Sequence, residues 1–126
     1  MVLVMDRSDQ DVTLITSLLE KAGFGVFRSM EKAGILKFCG TADEKVALVL
    51  IDTSTPGIQM SDLLEQVRAI NPRIRFLLMS GPNESALIGN WSAAGNVCGH
   101  LRRPFRRAHF LGSVLEAASA PLARTA

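Results

Sequence analysis

The chain has 126 residues, 48% of them hydrophobic, with 14 Lys and Arg against 12 Asp and Glu and a formal net charge of +2. A mean hydropathy of +0.22 excludes a disordered polymer, and the near balance of charge, with no reading helix, argues against a nucleic-acid surface. No apolar stretch approaches the ~18 residues that span a bilayer, the first residues carry no basic leader, and Cys39 and Cys98 belong to no Cys-x-x-Cys or Cys/His cluster. The expectation is one soluble, cytoplasmic domain with reduced and mostly buried thiols.

In chain order, the apolar run at 2–5 predicts a first strand, which Asp6 ends. Leu14, Ile15, Leu18, Leu19 and Ala22 then keep helical spacing, with Gly23 as the stop signal. A short apolar run at 24–27 predicts the second strand. Residues 46–51 form an unbroken aliphatic run, the pattern of a strand buried on both faces of a parallel sheet. Asp52 ends it, and Thr-Ser-Thr-Pro-Gly follows at once.

Leu63, Leu64, Val67 and Ile70 predict a helix closed by Asn71-Pro72, because the residue before proline is pushed out of the helical region. The run at 74–79 leads into Ser80-Gly81. A helical segment loosened by Gly89 and carrying Trp91 comes next, and the run at 97–101, holding His100, leads into Arg103-Pro104-Phe105. Phe110, Leu111, Val114, Leu115 and Ala118 mark the last helix. Strict alternation of strand and helix predicts an α/β fold: a three-layer, doubly wound, flavodoxin-like (βα)5 domain with a five-stranded parallel sheet. It would occupy residues 1–120, with 121–126 as a frayed tail.

In such a sheet, ligands bind outside the carboxyl ends of the strands. Two strands ending in Asp6 and Asp52 would aim two carboxylates into one crevice, a place for a cation, a phosphate or both. Ser80 and Arg103 fall at the same edge. Arg102, Arg103, Arg106 and Arg107 crowd together, and the last two stand near a helix start, where positive charge opposes the helix dipole at a cost of roughly 0.3 kcal/mol or more each. An acidic partner surface would account for them.

The first-strand acid, the segment Asp52-Thr-Ser-Thr-Pro56-Gly57, the Ser80-Gly81 step and the Arg103-Pro104-Phe105 ending together resemble the receiver (response-regulator) family over residues 2–118. The wording of the motifs is most similar to receivers at the C-terminus of hybrid sensor histidine kinases. The resemblance implies a non-enzymatic module of a two-component phosphorelay. Asp52 would accept a phosphoryl group from a histidine kinase or phosphotransfer protein. Mg²⁺ would be held by Asp6, Asp52 and the main-chain carbonyl of Ser54. Ser80 takes the place of the hydroxyl that hydrogen-bonds the phosphoryl group, Arg103 that of a lysine, and His100 that of the aromatic whose rotation follows the hydroxyl. The face made by the helix expected before the fifth strand, that strand and the last helix would carry a partner or a second copy of the chain.

The departures from the family pattern matter as much. Receivers usually carry two acids after the first strand, and this chain reads Asp6-Arg7. Exchanging a negative for a positive charge ~6 Å from a divalent ion costs about 3 kcal/mol even in water-like dielectric, so Mg²⁺ binding is expected to be weak. Arg for Lys at 103 replaces a compact ammonium with a planar fork. The alternative is therefore a degenerate receiver, a protein-binding module that signals without phosphorylation.

Overall fold

A computed structural model of the chain describes residues 2–5, 9–29, 31–41, 48–53, 60–80, 97–103 and 105–119. In chain order these form β1 (Val2–Met5), α1 (Asp9–Lys21), β2 (Val26–Arg28), α2 (Lys32–Thr41), β3 (Leu48–Asp52), α3 (Met60–Ile70), β4 (Phe76–Ser80), β5 (Val97–Arg102) and α4 (Arg107–Ser119). The five strands make one sheet in the order β2-β1-β3-β4-β5, with every neighbouring pair parallel. This is the 2-1-3-4-5 order of flavodoxin-like sheets, in which the winding reverses between β1 and β3.

The inner strands are aliphatic because helices cover both sides of them. Every residue of β1, β3 and β4 is buried. Leu3, Met5, Val49, Ile51, Phe76 and Leu78 point to one side, where they pack with Ile35 and Cys39 of α2 and Leu63, Leu64 and Val67 of α3. The alternate residues Val2, Val4, Leu48, Leu50, Leu77 and Met79 pack with Val12, Ile15, Leu18 and Leu19 of α1 and with Phe110, Val114 and Ala117 of α4. The expected three layers result. Cys39 and Cys98 are both free thiols, the first buried and the second half-buried, and burial pushes the Cys39 thiol up to about 11.

Local signals end the helices where the residues require it. Gly23 has φ of +95°, the left-handed conformation that favours glycine. Around it the Phe24 amide donates to the Leu19 carbonyl at 2.9 Å and the Gly23 amide to Glu20 at 3.0 Å, the paired bonds of a Schellman stop. At the end of α3 the Asn71 amide reaches Val67 at 2.8 Å, and the Asn71 side chain then accepts from the Arg73 amide at 3.1 Å.

Three expectations need correction. The second strand runs from Val26 to Arg28, two residues later than the apolar run suggests, because the Schellman stop consumes Phe24. The helical core stripes are also narrower than expected. Leu14, Ile70 and Leu115 are exposed, and the buried stripe of α4 is Phe110, Val114 and Ala117 in place of the expected set with Leu115 and Ala118. A residue next to a stripe position is turned about 100° away from it on a helix, so Leu14 and Leu115 leave the core beside Ile15 and Val114. Finally, Ala22 lies beyond α1 and is exposed. The helical segment with Gly89 and Trp91 and the tail at 121–126 lie outside the described residues.

Candidate functional site

Asp52 is the last residue of β3 and Ser80 the last of β4. They are the buried polar residues of the described core, 2% and 0% exposed, against apolar neighbours everywhere else on those strands. Register explains their proximity. Asp52 pairs with Met79, so Ser80 stands one residue beyond it on the adjacent strand, and Ser80 in turn pairs with Arg102. The ladder continues past each strand end: the Thr53 amide donates to Met79 at 2.9 Å and the Arg103 amide to the Ser80 carbonyl at 2.8 Å.

That last bond carries the Arg103 side chain to the same edge. Its Nη1 donates to Asp52 Oδ2 at 3.0 Å, a charge-assisted bond between a carboxylate 3% exposed and a guanidinium 22% exposed. The turn that follows is pinned from the other side, since Phe105 stacks on the buried Phe110 at 5.4 Å between centroids and 19° between planes. Asp52, Ser80 and Arg103, singled out in the sequence at three separate strand ends, thus lie together at the carboxyl edge of the sheet.

His100 joins them by a route that spacing alone does not reveal. It pairs with Leu78 across β4 and β5, on the same face as Ser80, and its Nε2 lies 2.6 Å from Ser80 Oγ. The ladder slips at Phe76/Leu77, where Gly99 pairs with Leu77 and Cys98 is passed over. Without that irregularity the side chains of β5 beyond it would point to opposite faces. The imidazole is half-buried, and burial, followed by the Arg102 guanidinium, holds it below its ordinary value.

No protein-family model matches the chain. Sporulation initiation phosphotransferase F of Bacillus subtilis is 24% identical over 104 residues, 82% of each chain. A response regulator from Thermotoga maritima is 25% identical with a TM-score of 0.80 over 94% of this chain and 97% of that one. The receiver domain of a sensor histidine kinase from Pseudomonas aeruginosa, solved with a magnesium ion in its active-site cleft, has a TM-score of 0.79 at 16% identity, over 94% and 97% of the two chains. The chain is similar to response-regulator receiver domains in sequence and in fold.

Asp6, Arg7 and Ser54 lie outside the described residues, and with them the expected convergence of Asp6 and Asp52. Among the described residues no group of three or more His, Cys, Asp or Glu could hold a metal ion. Asp52 offers a hard carboxylate oxygen, but Arg103 already engages Oδ2. Magnesium demands an octahedral shell of oxygens, and this part of the edge does not by itself fit it. Near this edge the chain presents Arg102, Arg106 and Arg107, all exposed, and the first turn of α4 carries no acid beside Arg106 and Arg107. No described helix is long and apolar enough to cross a membrane.

Proposed function

We propose that this receiver accepts a phosphoryl group on Asp52 from the phosphohistidine of a cytoplasmic histidine kinase or phosphotransfer protein, and signals by the conformational change that follows. The observation that carries the reading is the buried Asp52 carboxylate held by Arg103 at 3.0 Å beside a buried hydroxyl. An ionised carboxylate needs no general base to attack phosphorus. One Asp52 oxygen forms the O–P bond as the donor's P–N bond breaks, and the bonding pair leaves with the imidazole nitrogen, which takes a proton. The obstacle is the accumulation of negative charge, so positioned cations and donors supply most of the catalysis. Arg103 brings a fixed positive charge, and Ser80 a hydroxyl, to where the phosphoryl oxygens would lie. Magnesium, where bound, supplies further charge neutralisation.

The module acts as a signalling partner and not as an enzyme, and the similarity to a sensor-kinase receiver supports a place in a hybrid histidine kinase chain. The test is treatment with acetyl phosphate and Mg²⁺ followed by intact-protein and peptide mass spectrometry. A single phosphoryl increment on the peptide holding Asp52, lost in Asp52→Asn, is expected. An increment that survives in Asp52→Asn overturns the assignment.

Arg7 favours a second reading, a degenerate receiver that binds partners without being phosphorylated. A cation in the place of the second acid relieves repulsion between carboxylates without the oxygen shell that Mg²⁺ requires. On this reading wild type binds Mg²⁺ very weakly, and Arg7→Asp binds it about a hundredfold more tightly, the worth of removing one cation and adding one anion beside the ion. An NMR titration of both proteins in parallel measures the difference, and equal affinities would leave the degenerate reading without its support.

A further inference from the structure

We infer that Phe105 is a positioning residue for Arg103: its stack on Phe110 fixes the chain that leaves β5, and so holds the guanidinium on Asp52. The inference rests on the reading of Asp52 as the phosphoryl acceptor. Its ground is a pair of anchors on either side of Arg103. On the strand side the Arg103 amide donates to the Ser80 carbonyl at 2.8 Å. On the helix side Phe105, two residues on, stacks on Phe110 at 5.4 Å between centroids and 19° between planes. Phe110 is fully buried among the side chains that α1 and α4 pack on one side of the sheet, and Phe105 is half-buried against that cluster.

An arginine side chain is long and rich in rotamers, so one ladder bond at its amide does not by itself fix where its tip lies. The tip nonetheless meets Asp52 Oδ2 at 3.0 Å, with the side chain 22% exposed. Stacked rings prefer a defined offset and orientation, which an aliphatic side chain of similar volume does not demand. Phe105 therefore supplies direction as well as burial, and sets the heading of the backbone on which the guanidinium is carried. Direction matters at this edge because a fixed charge assists phosphoryl transfer only where it is aimed, and a displacement of about 1 Å can cost up to about a hundredfold in rate. The chemistry of Asp52 on β3 would thus depend on a ring contact made at the start of α4, on the far side of Arg103 from the acceptor.

The test is the initial rate of phosphorylation by acetyl phosphate and Mg²⁺, per folded molecule, in wild type, Phe105→Leu, Phe105→Tyr, Arg103→Ala and the double variant Phe105→Leu/Arg103→Ala. Leu keeps most of the apolar volume and removes the ring, so Phe105→Leu should react about three- to tenfold more slowly, a fraction of the penalty for a full misplacement. Phe105→Tyr keeps the ring and should restore the rate. In the Arg103→Ala background Phe105→Leu should change nothing, because there is no guanidinium left to place. A second readout needs no phosphate. Guanidinium NMR of the unmodified protein should show a slowly exchanging Arg103 Nη signal in wild type and Phe105→Tyr, averaged away in Phe105→Leu while the rest of the spectrum stays that of the folded chain.

Equal rates for wild type and Phe105→Leu, or a loss that persists without Arg103, would overturn the inference, as would an Arg103 signal that Phe105→Leu leaves unchanged; Phe105 would then fill the core and nothing more. If no protein takes up phosphate while the Arg103 signal follows the ring as stated, it is the acceptor reading that fails, and the hold of Phe105 on Arg103 stands.

Discussion

A carboxylate that is 2% exposed keeps its charge only if nearby groups replace the water it has lost, and at Asp52 the guanidinium of Arg103 does part of that at 3.0 Å. His100 presents the opposite case. It is a base whose charged form the site disfavours, first by burial and then by Arg102. The unfolded chain restores the imidazole to about 6.5. Between that value and the lower folded one, the unfolded state binds a proton that the folded state does not, so stability falls as pH falls through this window. Above the unfolded value the effect is absent. Wild type should therefore lose more stability than His100→Gln on going from about pH 7.5 to about pH 5.5, with the two curves parallel above the imidazole range. Urea unfolding at a series of pH values measures this, and identical pH profiles would show that the imidazole titrates as freely in the fold as in the open chain.

The slip between β4 and β5 decides which side chains of β5 face the crevice. Gly99 lies at that slip, and a Cβ built on it would come within 2.9 Å of Leu77 Cδ1, a side chain that is fully buried. Overpacking of this kind costs about 1–3 kcal/mol, so Gly99→Ala should lower the urea midpoint and also move the imidazole resonances of His100, its neighbour in the strand. A stability loss without any change at His100 would separate the slip from the site. The same element shows what a sequence carries and what it hides. Asp52 and Ser80 were legible as the strand-end residues that face a crevice, since each interrupts an aliphatic run at its carboxyl end, and Arg103 followed from the ending of the fifth strand. The Ser80–His100 bond was not legible, because facing on β5 depends on a register slip with no mark in residue type beyond one glycine. The second strand was misplaced for a related reason: Phe24 is apolar, but it packs as the residue after a helix stop and not as a strand residue. Leu14, Ile70 and Leu115 keep the helical spacing of a core face, yet they stand exposed on the same helices as the buried Ile15, Val67 and Val114.

Among the described residues the apolar interior lies on both sides of the sheet. Arg102, Arg106 and Arg107 are exposed at the end of β5 and the start of α4, next to the edge where Asp52 and Arg103 meet. The two arginines at the helix start stand against its dipole, and no acid in the first turn offsets them. The helix start gains nothing from these two cations, and an acidic patch on a phosphodonor is the partner that such a rim would steer toward Asp52. The two roles predict opposite signs for one change. Arg106→Glu/Arg107→Glu reverses both charges and puts anions at a helix start, which should leave the melting temperature unchanged or raise it slightly. The same variant should slow phosphoryl transfer from the cognate kinase and flatten its dependence on ionic strength, while transfer from acetyl phosphate, which needs no protein docking, should change far less. If the partner is a second copy of the chain, the change would appear instead as a loss of self-association in sedimentation. Unaltered kinase transfer at low salt together with unaltered self-association would assign the arginines to solvent alone, and the partner surface would have to be sought on another face.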